Sequence, residues 1–240
     1  MEEMLKENRY DDNQKLFIID NLKKINSRFY NKDYLENNKE FFSVKNIDLK
    51  WSPKKNLFNK NILILGNGLS IKENVNYIEK IIKEKKLTVL STNIEKNISE
   101  KYINYRLACN PYRIISDVNK YKKNKKPIIM PTKILNHGIK MSKNKLLNYD
   151  LILGNNFEFS NNFCKLTKPL ALFYAVALAN SAKAKSIYIA GFDGANDPDT
   201  LVNEINIFLE KYYNNKKNIK IFSFTPSKYK LKVIPLFKEL

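Results

Sequence analysis

The residues of this sequence that could do chemistry are glycines, an asparagine, a serine and an aspartate that follow short apolar runs. The segment GNGLS comes directly after NILIL, and GFDG comes directly after SIYIA. Glycine is needed where the backbone takes a positive φ or lies against a ligand, and the amides that open a following helix favour an anion. The chain has only six glycines, so two of them in GNG indicate a loop of special shape. The residues predicted to hold part of a nucleotide are Gly66, Asn67, Gly68 and Ser70.

Asp193, the third residue of GFDG, is the carboxylate best placed for a role in a site. It follows an apolar run, where a carboxylate is costly to bury without a partner. Asp197 and Asp199 follow in the same connection, and clustered carboxylates can position Mg²⁺ between phosphate groups. The other interpretation of the Asp-Pro-Asp sequence is a turn and helix cap, which these residues favour.

Alternating apolar and amphipathic segments must position these residues. Apolar runs predict buried strands, and helical periodicity predicts helices between them. The predicted strands are 61–65, 87–91, 105–109, 127–130, 150–153, 186–190 and 219–224, and the predicted helices are 71–85, 169–182 and 200–213. Strands separated by helices, with connections too long for hairpins, indicate a mostly parallel sheet covered on both faces. We predict an α/β fold with an open, Rossmann-like sheet.

The glycines mark one edge of that sheet. Five of the six follow predicted strands, and the carboxyl edge of an open α/β sheet is where ligands bind. Two common nucleotide loops are nevertheless absent: the third glycine of a dinucleotide fingerprint is missing, and there is no GxxxxGK[ST] pattern. Because Ser-Thr-Asn rather than an acidic residue ends the second predicted strand, NAD is disfavoured.

The first 58 residues have a different character from the rest. Residues 12–24 and 32–41 predict two polar helices with no strand, followed by a linker that contains Trp51. We therefore divide the chain into an accessory helical segment and linker (1–58) and a Rossmann-like nucleotide-binding domain (59–240). A chain of 240 residues with 43% hydrophobic content can bury one substantial core.

Composition limits the possible partners and the location. The net charge of +19 would suit nucleic acid, but lysines are spread through the whole chain, and the densest run, 121–127, predicts a solvated loop. No apolar stretch is long enough to span a membrane, and the N-terminus does not resemble a signal peptide. Two cysteines without a CxxC pattern predict buried, reduced thiols and no metal site. We expect a cytoplasmic protein that binds no nucleic acid, with peripheral membrane association left open.

Several motifs together carry a resemblance to a known family. GNGLS, STN at 91–93, CNP at 109–111 and IYIAGFD at 187–193 resemble, in order and spacing, the bacterial sialyltransferases of glycosyltransferase family 42. The chain is similarly close to the related domain of 6-hydroxymethylpterin diphosphokinase-like proteins. GFDG followed by TPSKY at 225–229 is most similar to a version of this domain found behind an aldolase barrel in surface-polysaccharide gene clusters. The resemblance covers about residues 60–230.

The resemblance implies further nucleotide-binding residues. Asn93 and Asn110 match the asparagines that contact a CMP-sugar donor in the sialyltransferases, and an amide side chain supplies both a donor and an acceptor. Thr167 and Lys168 fall where the family has a Thr-Ser-Gly loop, and the lysine could neutralise a phosphate. Family members often assemble as oligomers, so a homo-oligomer is possible.

The sequence also departs from the family. The sialyltransferases place a histidine base in a lid after the Gly-x-Asp strand, whereas His137, the only histidine here, lies well before that strand. A general base must come within hydrogen-bond reach of the acceptor hydroxyl. The candidate catalytic residues are therefore Asp193 and His137, with an exposed loop histidine as the alternative for His137.

Three functions remain open. The first is a glycosyltransferase-like enzyme of surface-polysaccharide synthesis that uses a nucleotide-activated sugar, with a CMP-linked sugar as the candidate donor, and a glycan acceptor, with no obligatory metal. The second is a Mg²⁺-dependent diphosphotransferase of the 6-hydroxymethylpterin diphosphokinase type. The third is a non-catalytic remnant that binds a nucleotide or a protein partner.

Overall fold

The computed structural model describes residues 47–48, 51–94, 97–110, 113–114, 117–132, 146–154, 156–194 and 200–234. The strands are β1 (Ile47–Asp48), β2 (Asn61–Leu65), β3 (Thr88–Thr92), β4 (Tyr105–Leu107), β5 (Ile128–Met130), β6 (Leu146–Asn148), β7 (Asp150–Leu153), β8 (Glu158–Phe159), β9 (Phe163–Leu166), β10 (Ser186–Ala190), β11 (Ile221–Ser223) and β12 (Lys232–Val233). The helices are α1 (Lys54–Leu57), α2 (Leu69–Glu73), α3 (Val75–Glu84), α4 (Val118–Lys123), α5 (Ala171–Ser181) and α6 (Thr200–Asn214), with a 3₁₀ turn at Glu100–Tyr102.

The main sheet orders its strands β1-β6-β5-β4-β3-β2-β10-β11-β12. Neighbouring strands in it pair in parallel. From β2 the chain adds β3 to β6 on one side, then crosses back and adds β10 to β12 on the other. The strand order therefore reverses between β2 and β10, which is the topological switch point of the sheet. The prediction of an α/β, Rossmann-like, mostly parallel sheet is confirmed.

Helices cover both faces of this sheet because successive residues of a strand point to opposite sides. Ile62 and Ile64 of β2 pack in one core with α5 and α6, whereas Leu63 and Leu65 pack in a second core with α3. Helix α5 is buried over nearly its whole length, as its apolar composition on all sides requires. Within the described ranges, none of the helices combines the length and the apolar character needed to cross a bilayer.

A second, three-stranded sheet corrects one prediction. Strands β7, β9 and β8 form it, with β9 in the centre, so the run 150–153 is a strand but does not belong to the main sheet. It is also not fully buried, since Ile152 is 48% exposed and Leu153 is 61% exposed. An apolar run of four residues predicts a strand without indicating which sheet receives it. Among the described strands, β7 pairs with β9 alone and lies at an edge of its sheet.

The structure corrects a second prediction, which concerns the lysine-rich run 121–127. We predicted a solvated loop, but its first part belongs to α4, and Tyr121 is fully buried in a core formed with β5 and β6. Only part of the run faces solvent, including the exposed residues Lys123 and Lys125. Because lysines dominate this run, its composition does not reveal that Tyr121 lies on the buried face of an amphipathic helix.

The described part of the 1–58 segment packs against the main domain. Trp51 is 2% exposed and Leu57 is fully buried, and both belong to the core that contains α5. The indole Nε1 of Trp51 donates to Asn56 Oδ1 at 2.7 Å, and β1 pairs in parallel with β6. The predicted helices at 12–24 and 32–41 lie outside the described residues. The boundary at residue 58 stays a prediction.

The two thiols, Cys109 and Cys164, are both free and buried, as the sequence predicted. Burial raises the pKa of the Cys164 thiol from 9.0 to about 12, and burial followed by the charge of Cys164 raises the pKa of Cys109. A thiol whose pKa is raised by folding stabilises the folded state below its unfolded pKa and loses that contribution as the pH rises through the folded value. The contribution of the neutral Cys164 thiol to stability should therefore be complete below pH 9 and fall as the pH rises from 9 towards about 12.

We expect neither thiol to react with iodoacetamide in the native protein at a pH of about 8, because only the thiolate is nucleophilic. Both should react once the protein is unfolded in guanidinium chloride, which is the control for reagent activity. Mass spectrometry of the intact chain counts the adducts. Alkylation of either thiol without denaturant would contradict the packing of Cys109 and Cys164 in the core.

Candidate functional site

The loops that follow β2 and β10 lie directly against each other at the switch point. The amide of Gly66 donates to the carbonyl of Ala190, and the amide of Gly68 donates to the carbonyl of Gly191, each at 2.8 Å. A Cβ built on Gly66 would lie 2.3 Å from the Gly191 carbonyl oxygen, and Gly191 itself has a φ of +74°. The glycines are required because two backbones meet here, and no side chain fits between them.

Asp193 joins these two loops through Ser70. The backbone amide of Ser70 donates to Asp193 Oδ2 at 2.9 Å, and the Ser70 hydroxyl donates to Asp193 Oδ1 in a short hydrogen bond. Ser70 is the second residue of α2, so the carboxylate satisfies an amide that has no partner within the helix. A Cβ on Gly68 would lie 2.5 Å from either carboxylate oxygen of Asp193. The second glycine of GNG thus leaves room for this carboxylate.

A third loop, after β11, supports the loop that carries Asp193. The Thr225 hydroxyl accepts a hydrogen bond from the Gly191 amide at 3.0 Å, and the Ser227 hydroxyl donates to the carbonyl of Phe192 at 2.7 Å. The amide of Lys228 donates to the backbone carbonyl of Asp193 at 3.1 Å. The GNGLS, GFDG and TPSKY motifs, distant in sequence, therefore form one connected structure. The roles of Thr225 and Ser227 were not predicted, although TPSKY was recognised as a motif.

Asn93 and Asn110 follow the next two strands of the same sheet edge. Asn93 takes a left-handed conformation, with φ at +59°, and its amide donates to the carbonyl of Leu107 at 2.7 Å. The side-chain oxygen of Asn110 accepts from the amide of Arg113 at 3.3 Å. Because β10, β2, β3 and β4 are parallel neighbours, their carboxyl ends lie along one edge of the sheet. The predicted glycine loop, both asparagines and Asp193 share that edge.

Thr167 and Lys168 follow β9 of the second sheet and not a strand of the main sheet. They line a groove of about 540 Å³ whose other walls include α6 and the aromatic residues Phe157 and Phe208. The Nζ atom of Lys168 contacts both carboxylate oxygens of Glu204, at 2.6 and 2.7 Å. The lysine predicted to neutralise a phosphate thus already has a carboxylate partner, although both side chains are half exposed and such pairs are weak.

The remaining candidate residues lie outside the described part of the chain. These are His137, Asp197 and Asp199. Within the described ranges, no group of three or more His, Cys, Asp or Glu side chains is arranged to hold a metal ion. The catalytic assignment of His137 and the magnesium role of the carboxylates therefore stay predictions.

The arrangement at the sheet edge offers neutral hydrogen-bonding groups. Asn93 and Asn110 contribute amide side chains, a group that can both donate to and accept from a ribose, a base edge or a phosphate, and the Oδ1 atom of Asn110 already accepts from the amide of Arg113. Asp193 engages Ser70 with both carboxylate oxygens, which favours a positioning role for it over proton abstraction. The catalytic assignment of Asp193 stays a prediction.

Comparison of the sequence with protein-family models and with curated proteins finds no match.

The hydrogen bonds between Ser70 and Asp193 should be measurable as a coupling energy. We expect Ser70→Ala to cost about 1 kcal/mol and Asp193→Asn about 1–3 kcal/mol of unfolding free energy, since each removes a partner from a partly buried pair. The double variant should cost less than the sum by at least about 0.5 kcal/mol, as measured by urea denaturation. Strictly additive costs would show that the pair does not hold the two loops together.

Proposed function

We propose that this chain binds a nucleotide-activated sugar at the carboxyl edge of β10, β2, β3 and β4 and is a glycosyltransferase-like enzyme. The observation that carries the proposal is the position of the switch point, which falls between the GNGLS and GFDG loops. In open α/β sheets ligands bind in the crevice outside the carboxyl ends of the strands at this point. The family resemblance of the same motifs supports a CMP-linked donor.

The hydrogen bonds between the two loops indicate which residues contact the nucleotide in this proposal. The amides of Gly66, Gly68 and Ser70 donate within the protein, to Ala190, Gly191 and Asp193. We therefore assign the nucleotide mainly to Asn67 and to the asparagines that follow β3 and β4. The basic surface, with a net charge of +19, favours the approach of an anionic donor.

The proposed transfer needs a leaving group, a nucleophile and a base. The acceptor hydroxyl forms a bond to the anomeric carbon, the bond from that carbon to the nucleotide phosphate breaks, and the hydroxyl proton passes to a general base. His137 is the candidate base. We propose that Asp193 holds the GNGLS loop in place around the donor. Residues that contact a substrate can position it only when they are themselves held rigidly.

The groove lined by Thr167 and Lys168 is a candidate acceptor site. Its volume of about 540 Å³ and its lining of aromatic and polar residues are typical of small-molecule pockets. In this proposal Lys168 and Glu204 contact acceptor hydroxyl groups.

A thermal-shift experiment with two matched variants tests nucleotide binding. Asn93 and Asn59 both have a positive φ, of 59° and 53°, so replacing either with glycine keeps the backbone conformation and removes only the amide side chain. Asn93 follows β3 at the proposed edge, whereas Asn59 precedes β2 at the opposite edge. The panel is CMP, CDP, UDP, GDP, ADP and ATP, each with and without Mg²⁺.

We expect CMP or CDP to raise the melting temperature without a metal in the wild type and in Asn59→Gly, but not in Asn93→Gly or Asn110→Ala. A ligand that binds only the folded state stabilises it in proportion to ln(1 + [L]/Kd), so weak binding is visible at millimolar ligand. Stabilisation by ATP only with Mg²⁺ would replace this proposal with diphosphotransfer. The absence of any response would favour a non-catalytic remnant.

A further inference from the structure

A basic pocket opens beside β4 of the main sheet and is lined by residues other than those of the site described above. It has a volume of about 520 Å³ and is lined by Ile94, Glu100, Arg106, Lys120, Lys123, Asn124 and Lys125. Its walls are the 3₁₀ turn before β4 and the helix α4, and β4 contributes the residue at its base. Pockets that hold small molecules have volumes of about 300–1,000 Å³, so its size suits one. None of the predicted nucleotide-binding residues lines it.

Arg106 is an unusual residue for a central strand. Its side chain is only 2% exposed, and Nη1 donates to the hydroxyl of Ser91 on β3 at 2.8 Å. Nη2 makes a short ion pair with Glu100, whose own side chain is 47% exposed. A buried guanidinium requires an anionic partner. Here that partner is a half-exposed carboxylate on a single turn of 3₁₀ helix.

The rim of the pocket adds more positive charge. Four cationic side chains and one carboxylate line the pocket. Lys120 is paired with Asp117 at 2.9 Å, but within the part of the chain that the structure describes, Lys123 and Lys125 have no carboxylate partner. The pocket therefore carries more positive charge than its own carboxylate balances.

We infer that this pocket binds the phosphate groups of a small phosphorylated ligand. Arg106 lies at the base, where its planar guanidinium can contact two phosphate oxygens, and Lys123 and Lys125 approach from the rim. Glu100 holds Arg106 in the absence of the ligand, and a phosphate with a higher charge replaces its carboxylate. The inference does not rest on the proposed nucleotide site, because the two sites share no residue, although Ile94 of the pocket directly follows Asn93 in the chain.

Isothermal titration with inorganic pyrophosphate at constant ionic strength tests this inference. The key variant is Lys123→Ala/Lys125→Ala, in which both replaced side chains are exposed, so folding should be preserved. Lys216→Ala/Lys217→Ala removes the same charge from the exposed turn after α6 and is the matched control. We expect saturable binding that weakens roughly fivefold in the pocket variant and is unchanged in the control.

Two further variants identify the site. Glu100→Gln removes the competing carboxylate, so pyrophosphate should bind more tightly, by roughly threefold. Asn93→Gly should leave pyrophosphate binding unchanged, even if it abolishes nucleotide binding. The inference is overturned if the wild type shows no saturable binding, if both lysine pairs contribute equally, if Glu100→Gln does not tighten binding, or if Asn93→Gly abolishes it. A single-stranded oligonucleotide that binds through the same lysines while pyrophosphate does not would also overturn it.

Discussion

The contact between the loop after β2 and the loop after β10 is the constraint on which the sheet edge depends. The chain leaves β2, forms four more strands of the main sheet on one side, and returns to place β10 on the other. The two carboxyl ends then meet backbone to backbone, with the amides of Gly66 and Gly68 donating across the junction. A side chain at Gly66 would overlap the Gly191 carbonyl, so the close approach itself explains why glycine is needed.

Asp193 holds the two loops in a fixed relative position. Its carboxylate accepts from both the amide and the hydroxyl of Ser70, while its carbonyl accepts from Lys228. The start of α2 is therefore held by a residue 123 positions away in sequence rather than by a local cap. A loop supported in this way loses little conformational entropy when a ligand binds, which is a property that the proposed nucleotide site requires.

The edge of the sheet and the basic pocket differ in chemistry. At the edge the side chains of Asn93 and Asn110 are neutral amides, a type of group that suits a ribose or a base, and the carboxylate of Asp193 is engaged within the protein. In the basic pocket beside β4, Arg106 is buried against Glu100 beneath a rim of lysines, so phosphate is the group best matched to that pocket. The uniform spread of lysine along the chain conceals this difference, because only folding brings Lys120, Lys123 and Lys125 together around Arg106.

The sequence by itself determined the strands and helices, because the period and the length of an apolar pattern are local properties. The alternation of strands with helices then predicts a parallel sheet. Local pattern alone predicts two strands from the apolar runs 61–65 and 186–190 and one helix from the amphipathic segment 200–213. The glycines mark the ends of strands without indicating how those strands are ordered in the sheet. Only the tertiary structure decided that Asp193 meets Ser70, that β7 joins a second sheet with Leu153 exposed, and that Arg106 lies at the base of a pocket. Each of these depends on contacts between residues far apart in the chain, and no local pattern of hydrophobicity or charge specifies such a partner.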